Sequence, residues 1–85
     1  MTLYTDEVRR IVKETKSPYP GFIYDVVEYP KWLTFRMYRD NFEMFPDSQR
    51  EDLAQWFGLQ ISRVRKIGIP CFAEVFESVP TRRSN

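Results

Sequence analysis

The strongest constraint lies between residues 22 and 42, FIYDVVEYPKWLTFRMYRDNF, where two alternating stretches flank a proline. Proline suits the second position of a tight turn, so Tyr29-Pro30-Lys31-Trp32 is the natural bend of a β-hairpin. With Tyr29 opposite Trp32, Asp25 falls opposite Arg36, Val26 opposite Phe35 and Tyr24 opposite Met37. One face then collects Tyr24, Val26, Leu33, Phe35 and Met37. The other collects Ile23, Asp25, Val27, Thr34, Arg36 and Tyr38. A slip of one residue would turn one strand's apolar set to the wrong side. The Asp25–Arg36 charge pair independently favours the same alignment, by about 0.2–1 kcal/mol.

The flanking segments have the helical period. Residues 5–16, TDEVRRIVKETK, place Val8, Ile11, Val12 and Thr15 on one face with Tyr4. Thr5 is the expected cap, and Ser17-Pro18-Tyr19-Pro20-Gly21 the expected stop. A longer helix is expected within 46–70, PDSQREDLAQWFGLQISRVRKIGIP, with Ser48 and Glu51 as a capping box and Gly68 and Pro70 as its stop signals. Leu53, Trp56, Phe57, Ile61, Val64 and Ile67 form its apolar stripe. Gln60 falls inside that stripe, Leu59 falls outside it, and Gly58 suggests a close approach of the backbone to a neighbour. Residues 71–79, CFAEVFESV, are read as a third strand.

The resulting order, α-β-β-α-β, predicts a two-layer α+β domain over residues 1–79 and a flexible tail over 80–85. A right-handed crossover through the long helix would make the second and third strands parallel. The first strand, the more apolar of the hairpin, is expected in the centre, giving a mainly antiparallel sheet of order 2-1-3, with 1-2-3 as the alternative.

The inventory of reactive side chains is short. Histidine is absent, and Cys71 is the one cysteine of 85 residues. The commonest general base is therefore missing, and so are the ligands of a structural zinc site. Cys71 without a histidine partner is expected to be a small core residue. The glycines are isolated and form no phosphate-cradling loop. Asp25, Glu28, Asp40 and Glu43 are expected to be solvated or ion-paired. No enzyme, cofactor or metal is expected. The start, MTLYTDEVRR, has acids and arginines where a signal peptide needs an apolar core. No apolar run approaches the ~20 residues of a membrane span. These features, with the single cysteine, set the expectation of a cytoplasmic, non-membrane protein.

Two binding readings follow. The preferred one is a small protein-interaction module, an adaptor or an inhibitor of a larger protein, able to self-associate through an open edge strand. It uses the second sheet face, with Arg36, Tyr38 and Phe76 as the main contacts, Trp32 at the bend and Asp25 beside them. Seven Phe, five Tyr and two Trp supply more aromatic surface than a small core needs. The alternative is a nucleic-acid-binding domain, in which Arg9, Lys13 and Lys16 along the first helix join Arg36 and Tyr38. Thirteen basic against twelve acidic residues give a net charge of only +1, which weighs against that alternative.

Overall fold

The computed structural model describes residues 6–80. They form α1 (Asp6–Glu14), β1 (Tyr24–Glu28), β2 (Leu33–Tyr38), the one-turn helix α2 (Arg39–Phe42), α3 (Asp47–Lys66) and β3 (Cys71–Phe76). The expected roles of Tyr4 and Thr5, and the tail beyond Pro80, lie outside the described residues.

The hairpin has the register that its alternation implies. Tyr24 pairs with Met37, Asp25 with Arg36 and Val26 with Phe35. Tyr29 N donates to Trp32 O at 2.9 Å and closes the turn around Pro30. Strand order is the correction. The sheet runs β1-β2-β3, with β2 in the centre, antiparallel to β1 and parallel to β3. Counting apolar residues favoured β1 for the centre because Thr34, Arg36 and Tyr38 read as a solvated side. In the fold that side is served laterally. Glu74 of β3 lies in register with Arg36, and Asp25 of β1 reaches Tyr38.

The helices share the opposite face. Val8 of α1 belongs to one buried cluster with Leu33, Phe35 and Met37 of β2 and Leu53, Phe57, Ile61 and Val64 of α3. Phe22 is enclosed by rings: Tyr24 stacks on it, while Phe42, Phe45, Trp56 and Phe57 meet it edge-on. The thin dimension of the molecule is 18 Å, as one sheet and one helix layer require.

Gln60 in the apolar stripe is explained by its bonds. Its Oε1 lies 3.1 Å from Thr15 Oγ1 and accepts from Arg63 Nη1 at 3.0 Å, while its Nε2 donates to Trp56 O at 3.2 Å. The buried amide is thus satisfied at both ends by its own helix, and it lies against Thr15, just past the end of α1, at little cost. Leu59 is exposed as expected, and Trp56 and Ile67 are half-buried. The capping box does not form. The helix starts at Asp47 behind Pro46, with no side-chain cap, and Arg50 pairs with Asp47 instead. β3 ends at Phe76, three residues before the expected limit. The one-turn α2 was not expected, being too short to carry a period.

The close approach expected at Gly58 is also absent, since a β-carbon there would meet nothing within 4 Å. Gly68 is different. Its φ of +96° is a left-handed stop after the C-cap at Ile67. Two glycine replacements should therefore act in opposite directions in urea unfolding. Gly58→Ala should add roughly 0.5–1 kcal/mol of stability, and Gly68→Ala should remove about 1 kcal/mol. Phe35→Ala, at a fully buried position, should remove about 3–5 kcal/mol. That is a large fraction of the roughly 4–13 kcal/mol that a chain of this length commands.

Candidate binding face of the sheet

The alternation of three paired strands fixes the second face before any side chain is considered. Asp25 and Val27 come from β1, Thr34, Arg36 and Tyr38 from β2, and Phe72, Glu74 and Phe76 from β3. The helix cluster lies on the other side, so none of α1, α2 and α3 places a buried side chain on this face.

At its centre a charge is held between strands. Arg36 Nε donates to Glu74 Oε1 at 3.1 Å, and Nη2 lies 3.1 Å from the same oxygen. The guanidinium carbon stands 4.2 Å from the centre of the Phe76 ring, a cation–π distance. Phe76 meets Tyr38 edge-on, with ring centres 6.0 Å apart and planes at 89°. The Tyr38 hydroxyl donates to Asp25 Oδ2. The chain of contacts Asp25–Tyr38–Phe76–Arg36–Glu74 thus crosses all three strands.

The expected Asp25–Arg36 ion pair is replaced. The two residues are opposite in the ladder, but Arg36 turns to Glu74 and Asp25 receives Tyr38. Parallel pairing puts Glu74 at the register of Arg36, so β3 competes successfully for the guanidinium. Tyr38 is also deeper than a contact residue should be, with 1% of its surface exposed. It supports the face from beneath. The surface a partner would meet is Phe72, 50% exposed, and Phe76, 42% exposed.

Trp32 stands apart from this cluster. It stacks on Tyr29 at the hairpin turn, with ring centres 4.7 Å apart, and six residues of extended chain, roughly 20 Å, separate it from Tyr38. Arg9, Lys13 and Lys16 are exposed, but they belong to α1 and the residues just after it. Since α1 packs on the helix side, its basic stripe and the Arg36–Tyr38 pair lie on opposite layers and do not make one surface.

The sheet end that carries Tyr38 and Phe76 has a feature no motif announced. An open pocket of about 220 Å³ is lined by Ile23, Asp40, Asn41, Met44 and Val79. Asn41 builds its wall, donating through Nδ2 to Gly21 O at 2.9 Å and accepting from Ile23 N at 2.8 Å. Asp40 accepts from Val79 N at 3.3 Å. The short α2 brings Asp40 and Asn41 together, and a four-residue helix leaves no periodic trace in a sequence.

Cys71 is fully buried and free. Burial, only partly opposed by nearby Arg65 and the Phe72 backbone N–H, pushes its thiol up to about 11. It is protonated at neutral pH, unlike a nucleophilic cysteine. Among the described residues there is no group of three or more Cys, Asp or Glu side chains placed to hold a metal ion, and no helix is long and apolar enough to cross a membrane. Compared with known protein families, with curated proteins and with solved structures, the chain matches none.

The hydrogen bond to Asp25, followed by burial, raises the Tyr38 hydroxyl above the usual value of 10.0 despite the opposing Arg36. The folded state therefore holds this proton more tightly than the unfolded chain. Its contribution is complete below the unfolded value near 10 and is lost as pH climbs through the folded one. Urea midpoints should begin to fall near pH 9, where the unfolded chain releases the Cys71 proton that the folded state keeps to about 11, and should fall further above about 10 as the tyrosines join. Tyr19 and Tyr24 shift in the same direction and share that fall. Tyr38→Phe should make it shallower and cost about 1 kcal/mol at neutral pH.

Proposed function

We propose that this chain is a small protein-interaction module without catalytic activity. Its contact surface is the sheet face opposite the helices, with Phe72 and Phe76 as anchors and the Arg36–Glu74 pair between strands giving it orientation. One observation carries this reading. Two phenylalanines stand half exposed beside a fixed arginine on a face that the described helices leave open. Aromatic side chains with arginine are the usual anchors of protein interfaces. Rings held by a sheet lose little freedom on binding, which lowers the entropic cost of association.

Asp25 and Tyr38 act in this reading as supports that set the height and tilt of Phe76. The pocket lined by Ile23, Met44 and Val79 lies near the Tyr38 end of the sheet, and Trp32 stands at the opposite, turn end. An adaptor or an inhibitor of a larger protein fits such a surface, and a chain with one cysteine and no possible internal disulfide suits a reducing, cytoplasmic setting.

The test compares wild type with a Phe72→Ser/Phe76→Ser variant and with Leu59→Ser, which alters an exposed leucine on the outer side of α3. Partners retained by immobilised wild type are identified and purified, and their affinities are measured with each variant. The double variant should weaken binding at least about 30-fold, equivalent to about 2 kcal/mol, while Leu59→Ser leaves it unchanged. Equal binding by all three proteins would overturn the assignment of the face. Tight binding of single-stranded oligonucleotides that falls steeply with salt would replace the reading with the nucleic-acid alternative.

A further inference from the structure

We infer that the outer edge of β3 is a self-association surface, on which a second copy of this chain adds its own β3 in antiparallel fashion to make a continuous six-stranded sheet. This deepens the interaction-module reading, on which it rests, by naming one partner and the surface that partner takes.

The argument begins with where backbone groups point. Leu33 N donates to Pro70 O at 2.9 Å, and Leu33 is in register with Cys71. In a parallel ladder, alternate residues turn their N–H and C=O toward the neighbouring strand. Pro70, Phe72, Glu74 and Phe76 therefore face β2, whereas Cys71, Ala73 and Val75 face outward. Arg65 Nε donates to Cys71 O at 2.8 Å, as an outward carbonyl allows. Among the described residues nothing meets the outward groups of Ala73 and Val75. Edge strands are normally blunted by lysine, proline, a bulge or an inward charge. Within Cys71–Phe76 the one charge is Glu74, and it is bound to Arg36 toward the sheet interior. Phe72, Val75 and Phe76 of this strand are all exposed. The other edge differs, since β1 carries Asp25 and Glu28 among its five residues.

Symmetry selects the partner and the register. A twofold axis perpendicular to the sheet makes two copies antiparallel and keeps core faces together, so a residue of β3 must lie opposite its own copy. Glu74 at the centre would set like charges against each other. Of the remaining centres, Ala73 lets three outward residues, Cys71, Ala73 and Val75, exchange bonds within the strand, whereas Phe72 engages two and Cys71, Val75 or Phe76 at most one. Centring on Val75 would push Cys71 past the strand end at Phe76. Centring on Ala73 uses the whole strand, with Cys71 opposite Val75 of the second copy.

Charge agrees with that choice. Arg65, near the end of α3, reaches the start of β3 through its bond to Cys71 O, and Glu77, its side chain 79% exposed, follows the strand's end. In the Ala73-centred pairing Glu77 of the second copy comes opposite Ile69, beside Arg65, and the twofold repeats the contact. Glu77 otherwise meets Arg39 at 3.3 Å on the surface, a weak competitor. The paired edge is small beside the roughly 800 Å² per partner of a standard interface, so the dimer is concentration-dependent.

Sedimentation velocity of the purified chain over a dilution series tests this. Wild type should pass from monomer to dimer as concentration rises. Ala73→Pro, which deletes a central donor at a position an edge strand tolerates, should raise the dissociation constant at least about 10-fold. Arg65→Glu and Glu77→Arg should each weaken the dimer, and the double variant Arg65→Glu/Glu77→Arg should recover most of the loss. The charge-swap set decides the matter if Ala73→Pro perturbs folding. A monomer at every concentration, or a double variant no better than the single ones, would overturn the dimer. Partner capture that remains sensitive to Phe72→Ser/Phe76→Ser in such a monomer would show that the edge inference had failed while the sheet-face reading stood.

Discussion

Everything in this fold hangs on the central placement of β2. A strand with neighbours on both sides has its backbone satisfied, yet it loses the solvent that its polar side chains would otherwise use. Leu33, Phe35 and Met37 resolve this on one face by entering the helix-side core. On the other face Arg36 and Tyr38 must find partners in the flanking strands, and Glu74 and Asp25 are placed to meet them. The ion pair and the hydroxyl–carboxylate bond thus act as lateral ties. Each acid sits on an outer strand and each of its partners on the middle one, so the polar contacts reinforce the sheet across its width.

That arrangement also gives the open face its character. Arginine on an exposed strand would sample many conformations. Here its guanidinium is bound by a carboxylate and covered by a ring, and its side chain is only 20% exposed. Phe76 is gripped from two sides, by Arg36 beneath one face and by Tyr38 at its edge. A surface built this way presents apolar area in a fixed shape, and the proposed binding role would require little further ordering of it.

The sequence showed the hairpin and its register because two signals, alternation and the turn proline, pointed to the same residues. The long helix was equally plain, its apolar stripe and the left-handed Gly68 both being local features. Strand order was not legible. It involves contacts from far along the chain, such as Glu74 meeting Arg36 across 38 residues, and an apolar count treats both as surface charges. The same blindness exchanged the partners of Asp25 and Arg36. Of the expected contact residues, Arg36, Tyr38, Phe76 and Asp25 do come together, but the burial of Tyr38 follows from its central strand and could not be seen from its residue type. The pocket beside Asn41 had no periodic or compositional mark at all.

The two halves of the sheet reach their places by different routes. β1 meets β2 across a two-residue bend, a closure that chains complete in microseconds. β3 reaches β2 only after α2 and α3 have been traversed, and such distant pairing carries a larger loop-closure penalty. Until β3 lands, the newly made hairpin holds Arg36 without its carboxylate and one flank of β2 without its ladder. Docking of β3 completes the polar ties and covers that flank of β2, and it leaves the outer edge of β3 as the open one. A chain that stalls beforehand offers its neighbours a half-finished sheet, so the arrival of β3 guards against aggregation as well as adding stability.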